Sequence, residues 1–119
     1  MFMFRQPPSP FFRPEDAVQR ALSGAALVID VREPDELART GKAKGALHIP
    51  MGRLRAASDP RDPMFNPRLS FETTLALYCG SGGRAQNARK MLEDMGYNDV
   101  HVIGSFDDWI TAGGTVVAT

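Results

Sequence analysis

Apolar residues recur along the chain in two spacings, one typical of helices and one typical of buried strands. A helical spacing predicts a helix over 14–22, with Pro14 in its first turn and Gly24 as its cap. The continuous apolar run over 26–31 predicts a strand covered on both faces, as in the centre of a parallel sheet. Later patterns predict strands over 46–49, 73–78, 100–103 and 116–117 and helices over 34–41, 85–96 and 105–112. This alternation indicates an α/β domain with a mostly parallel sheet.

Two segments lack a clear period. Residues 1–13 hold three prolines and four phenylalanines, which excludes a regular helix. We interpret them as an N-terminal arm whose aromatic rings pack on the domain or, alternatively, bind a partner. Residues 52–72 are predicted to form either a solvated connection or a basic rim that attracts an anionic substrate. The arginines of this segment are Arg53, Arg55, Arg61 and Arg68. Residues 14–119 suffice for one domain with its own core.

The composition excludes several classes of function. Fourteen basic and fourteen acidic side chains give a formal net charge of zero, whereas a nucleic-acid-binding domain is usually strongly basic. We therefore predict no nucleic-acid partner. No apolar run approaches the ~20 residues of a membrane span, and the first residues lack the pattern of a signal peptide. We therefore predict a cytoplasmic protein with no membrane partner.

Residue types that bind metals are sparse. Cys79 is the single cysteine, so neither an internal disulfide nor a cysteine-based zinc site can form. His48 and His101 are the two histidines, and both lie in predicted strands without a second ligand at metal spacing. We predict that both histidines are hydrogen-bonded structural side chains and that the domain holds no metal.

The candidate reactive stretch reads YCGSGGR over residues 78–84 and joins a predicted strand to a predicted helix. In a parallel sheet, ligands bind at the carboxyl ends of the strands, which is where Cys79 lies. Three glycines within four positions allow the backbone to curl and turn its N–H groups inward. The helix N-terminus and Arg84 favour the thiolate, so we predict that Cys79 is a nucleophile rather than an inert core cysteine. The cradle of N–H groups around it is formed by Gly80, Ser81, Gly82 and Gly83.

A second polar position falls at the end of the first predicted strand. Asp30 closes the buried apolar run there, and a buried carboxylate requires a partner. The candidate partners are Arg32, two residues later, and Arg84.

Four blocks, in order, resemble the rhodanese-like sulfurtransferase family. They are LVIDVREPDE over 27–36, GALHIP over 45–50, LYCGSGGRA over 77–85, and Trp109 with Gly113. The resemblance runs from about residue 14 to residue 117. It implies a central five-stranded parallel sheet flanked by helices, with Cys79 as the carrier of sulfur.

The resemblance implies a sulfurtransferase that needs no metal or organic cofactor. Cys79 takes sulfane sulfur from a small-molecule or protein donor as a persulfide and passes it to a thiol or to cyanide. The loop N–H groups stabilise the terminal sulfur as its charge develops. Arg84 frames the loop, and Asp30 braces it through an arginine, for which Arg32 is one candidate. Relatives that use thiosulfate well often carry a cation inside the loop, which is absent here, so we expect thiosulfate to be a weak donor.

Two other functions compete with this interpretation. Cysteine phosphatases also hold a cysteine in an N–H cradle closed by an arginine, but that family implies five residues between the two and a histidine before the cysteine. Here four residues separate Cys79 from Arg84, and Tyr78 precedes the cysteine. The other alternative is a non-catalytic binding module, against which the retained Cys79 and Arg84 argue.

Overall fold

The computed structural model describes residues 11–119, so the prediction of an N-terminal arm falls mostly on residues outside the described part of the chain. Phe11 forms a single parallel bridge with Val102. The ring of Phe12 stacks on that of His101, with 3.7 Å between ring centroids. The ring of Phe12 therefore packs on the domain, whereas Phe11 is joined to it through its backbone and keeps an exposed side chain.

Five helices and six strands make up the described chain. The helices α1 to α5 are Pro14–Ser23, Pro34–Thr40, Met51–Ser58, Gly83–Asp94 and Phe106–Thr111. The strands β1 to β6 are Leu27–Asp30, Lys42–Ala43, Leu47–His48, Leu75–Cys79, Val100–Ser105 and Val116–Val117. A parallel sheet has the order β3-β1-β4-β5, and β2 pairs with β6 in a small antiparallel sheet.

The α/β class and the parallel sheet are confirmed, but within residues 11–119 this sheet has four strands rather than the five expected. The position beyond β5 is held by the one bridge at Phe11. Among residues 11–119 the pairing does not extend beyond this bridge, because the chain enters α1 at Pro14 and proline lacks the N–H that a ladder requires.

Two elements differ from the sequence prediction. Helix α3 occupies the start of the segment 52–72, which showed no helical period. It is held by Leu54, whose side chain is fully buried in an apolar cluster although the residues before and after it in the sequence are charged. Strand β2 was not predicted, since its two residues gain strand structure only by pairing with β6 from the end of the chain.

The parallel sheet separates two apolar clusters. Val28 and Ala76 point into the cluster beneath α1 and α5, whereas Ile29 and Leu77 point into the cluster beneath α3 and α4. Successive residues of a strand face opposite sides, so a strand with both faces covered is apolar throughout. This packing fixes β1 and β4 side by side and places their carboxyl ends at one edge of the sheet.

Candidate active site

Cys79 is the last residue of β4, and its side chain is fully buried in the cluster beneath α3 and α4. The loop 80–82 then turns into α4, which begins at Gly83. The N–H of Gly82 donates a hydrogen bond to Sγ of Cys79 at 2.8 Å. The cysteine therefore lies at the carboxyl edge of the sheet with a backbone donor directed at its sulfur.

The three loop glycines serve different purposes. Gly82 has a φ of 101°, a conformation that other residues rarely adopt. Gly80 has no such φ, but a Cβ there would lie 2.9 Å from Nη2 of Arg84 and 3.3 Å from Oε2 of Glu36. Gly83 faces open space. Of the three, only Gly82 therefore uses the positive φ that glycine adopts freely, and the expectation of such a φ is wrong for Gly80 and Gly83.

Arg84 forms a bidentate ion pair with Glu36 of α2. Nη1 donates to Oε1 at 2.6 Å and Nη2 donates to Oε2 at 3.0 Å. These hydrogen bonds lower the pKa of Glu36 to about 2, although burial opposes the shift, and they raise the pKa of Arg84. Both groups therefore remain charged throughout the neutral pH range. No ion pair joins Arg84 to Asp30, whose partner is Arg32.

Sequence reasoning missed Glu36 as a site residue. The sequence identifies Glu36 only as an acid at the start of a short helix. Its Oε1 also accepts from the N–H of Glu33, which caps α2. The available signal was its place within the block that resembles the rhodanese-like family.

Asp30 and Arg32 form the buried ion pair that the sequence left open between two arginines. Nη2 of Arg32 lies 2.9 Å from Oδ2 of Asp30, and the two side chains are 3% and 0% exposed. Burial opposes the charge of Arg32, but hydrogen bonds and Coulomb attraction from Asp30 raise its pKa. Arg32 also donates to Thr40 and to the carbonyl of Gly41. This pair therefore joins the end of β1 to the end of α2.

Tyr78 connects that ion pair to the reactive loop. Its hydroxyl donates to Oδ2 of Asp30 at 2.6 Å and accepts from the N–H of Ala43 at 2.9 Å. Burial, together with the contact with Asp30, raises the pKa of Tyr78, so the phenol stays protonated. The sequence indicated only that Tyr78 lies in a strand; its polar contacts were not foreseen.

The two histidines make structural contacts. Nε2 of His48 lies 2.7 Å from the carbonyl oxygen of Arg32, and Nε2 of His101 contacts Asp99. Within residues 11–119, no three His, Cys, Asp or Glu side chains gather in a way that would hold a metal ion. Among the helices of those residues, none is both long and apolar enough to cross a membrane.

The arginines of 52–72 do not gather into one basic rim. Arg61 pairs with Asp59 at the surface. Arg68 lines a cavity beside the starts of β1 and β4, at the sheet edge opposite the reactive loop. Arg53 lines a separate cavity of about 500 Å³ that includes His48. Arg55 and Arg61 line a further cavity beside the end of α4. Of the four arginines, only Arg53 lines a cavity with residues from the carboxyl end of a strand, so the four do not form one rim around the reactive loop.

Comparisons with known sequences agree with this architecture. Residues 14–112 match the family model for the rhodanese-like domain. A Schizosaccharomyces pombe protein, provisionally named a mitochondrial thiosulfate sulfurtransferase, is 31% identical over 91 residues. That match covers 71% of this chain and 63% of the yeast protein, so the chain spans less than two thirds of that relative.

Solved structures show the same fold. A Rhodopseudomonas palustris protein, described as of unknown function and provisionally as a tyrosine phosphatase, is 33% identical with a TM-score of 0.81, covering 90% of this chain and 83% of that one. The human single-domain sulfurtransferase is 25% identical with a TM-score of 0.76, covering 87% of this chain and 97% of that one. The family match spans most of the described residues, and the chain belongs to the rhodanese-like domain family.

Proposed function

We propose that this protein is a sulfurtransferase that carries sulfane sulfur as a persulfide on Cys79. The observation that carries the proposal is the hydrogen bond from the N–H of Gly82 to Sγ of Cys79 at the carboxyl end of β4. This bond directs a backbone donor at the sulfur atom that attacks the donor molecule in the proposed reaction. The names of the yeast and human relatives support the same class of reaction.

The proposed reaction has two half-reactions. First, the Cys79 thiolate attacks the sulfane sulfur of a donor, forming an S–S bond to Sγ. The donor's own bond to that sulfur breaks, and the electron pair leaves on sulfite when the donor is thiosulfate, or on a thiolate when it is a persulfide. Second, cyanide or a thiolate attacks the terminal sulfur, and the electron pair of the breaking bond returns to Sγ. One covalent intermediate shared by both steps predicts ping-pong kinetics.

The start of α4 supplies the stabilisation that this chemistry requires. The first N–H groups of a helix have no acceptor within it, and in α4 these belong to residues that follow Gly82 directly. Such donors stabilise an anion that forms near them, as in an oxyanion hole. In this proposal, Arg84 frames the loop through Glu36 rather than by binding the sulfur.

Intact mass spectrometry tests the proposal. Protein mixed with thiosulfate or with a persulfide should gain the mass of one sulfur atom, and cyanide should remove it with release of thiocyanate. Cys79→Ser should fold and gain nothing, since Cys79 is the only thiol. Wild-type protein that gains no sulfur from either donor, or Cys79→Ser protein that still transfers it, would refute the mechanism.

A cysteine phosphatase is the second candidate, favoured by the description of the Rhodopseudomonas palustris neighbour. Both terminal nitrogens of Arg84 are bound by Glu36, whereas a phosphatase arginine must bind the phosphate. The loop of four residues also forms a smaller ring than that family uses. Turnover of para-nitrophenyl phosphate that is lost in Cys79→Ser, without sulfur loading, would favour the phosphatase.

The cellular setting is part of the proposal. The sulfur donor is a small molecule or a protein, and the acceptor is a thiol or cyanide. A cytoplasmic location stays a prediction, since the yeast relative is named as mitochondrial.

A binding module that only retained the fold would show neither sulfur loading nor phosphatase turnover.

A further inference from the structure

We propose that Glu36 is a specificity-determining residue that selects sulfur donors by charge. It disfavours dianions such as thiosulfate and favours donors that carry less charge beside the sulfane sulfur. This inference rests on the proposed function and deepens it.

Glu36 lies directly beside the reactive loop. Its carboxylate and the Arg84 guanidinium lie against Gly80, the residue after Cys79, so closely that a Cβ on Gly80 would collide with Nη2 of Arg84. The side chains of Arg84 and Glu36 are 38% and 21% exposed. A carboxylate therefore lies at the accessible surface of the loop that must receive the donor.

The side chains around Arg84 offset its positive charge. Arg84 is the one cationic side chain of the loop sequence 80–84, and Glu36 neutralises it through two hydrogen bonds. Glu33 adds a second negative charge near Arg84. A dianion approaching the Cys79 thiolate thus meets an ion pair of zero net charge and a further carboxylate, with no free cation from the loop.

Two donors of the same chemistry but different charge isolate this effect. Thiosulfate is a dianion, and transfer of its sulfane sulfur to the thiolate releases sulfite. Methanethiosulfonate is a monoanion, and the same transfer breaks its S–S bond and releases methanesulfinate. In both reactions the new bond is formed to Sγ and the electron pair leaves on an oxyanion of sulfur, so the difference between the donors is mainly charge.

The experiment compares kcat/KM for these two donors in wild type, Glu36→Gln and Asp35→Asn at low and high salt. Glutamine keeps an oxygen for Arg84 and for the Glu33 N–H but removes the charge. Asp35 is the matched control because it lies on the same helix and pairs with Arg39 in solvent, where the two side chains are 72% and 67% exposed.

We expect wild type to prefer methanethiosulfonate. Glu36→Gln should raise the thiosulfate-to-methanethiosulfonate ratio of kcat/KM on the order of fivefold at low salt, which is the effect of one unit charge at ~4 Å in water. The rise in this ratio should come from a lower KM for thiosulfate, and it should shrink as salt is added. Asp35→Asn should leave the ratio unchanged.

The outcomes separate the two proposals. Wild type that loads from both donors but shows no preference for the monoanion overturns the role of Glu36, whether or not the variant folds. An unchanged ratio in Glu36→Gln, or an equal rise in Asp35→Asn, overturns it as well. Failure of both donors to load sulfur on wild type overturns the proposed function, and the selection of donors with it.

Discussion

The hydroxyl of Tyr78 donates to Oδ2 of Asp30 at 2.6 Å, and the two residues are register partners on β4 and β1. The same carboxylate pairs with the buried guanidinium of Arg32. The residue that directly precedes Cys79 is therefore attached to a buried ion pair. Any change that weakens this pair should loosen the strand end from which the reactive loop starts.

Replacing Asp30 should destabilise the domain strongly. Asp30→Ala leaves the guanidinium of Arg32 buried without its carboxylate, and breaking a buried pair in this way costs on the order of 3–5 kcal/mol. Urea unfolding followed by circular dichroism measures the loss. The matched control is Asp59→Ala, because the partner of Asp59, Arg61, is 90% exposed. Loss of this surface pair should cost far less, because exposed ion pairs contribute little to stability. An unchanged midpoint for Asp30→Ala would contradict the placement of this pair.

The loop glycines should differ in their tolerance of alanine. Gly82→Ala forces a side chain into a φ of 101°, which costs roughly 1–3 kcal/mol. Gly83→Ala enters open space at the first residue of α4 and should be neutral or stabilise by up to about 1 kcal/mol. Thermal melts of the two variants provide the comparison. Equal destabilisation by both would show that the loop conformation is not the one described.

The ion pair between Glu36 and Arg84 should make stability depend on acidic pH. The pKa of Glu36 in the folded protein is about 2, against 4.5 for an ordinary glutamate. A carboxylate with a lowered pKa stabilises the fold above its ordinary pKa, and this contribution is lost as the pH falls toward the lowered value. The free energy of unfolding of wild type minus that of Glu36→Gln should therefore be constant above about pH 5 and decline toward pH 2. A difference that does not change over this range would rule out the shift.

Adding a cation to the loop should improve the use of thiosulfate. Ser81 is exposed at the tip of the loop, so Ser81→Lys places a positive charge there without burying it. The KM for thiosulfate should fall severalfold at low salt, and added salt should erode the gain because exposed charges are screened. Ser81→Gln controls for side-chain length. If wild type already saturates at low thiosulfate and the lysine changes nothing, the charge of the loop does not limit this donor.

The sequence by itself determined the features that depend on short spacings. Apolar periodicity located α1, β1, β4 and α4 because burial on one or both faces imposes a period along a short segment. The strand, turn and helix around Cys79 were predictable for the same reason. The possible pairing of Asp30 with Arg32 was also predictable, because the two residues are only two positions apart.

Only the tertiary structure decided which distant residues complete the site. Glu36 and Arg84 are 48 residues apart, as are Asp30 and Tyr78, and neither contact leaves a periodic trace in the sequence. The pairing of β2 with β6 is likewise set by where the chain end lies. Such contacts depend on how β1 and β4 are aligned in the sheet. That alignment follows from burying both faces of the sheet together, and no local segment specifies it.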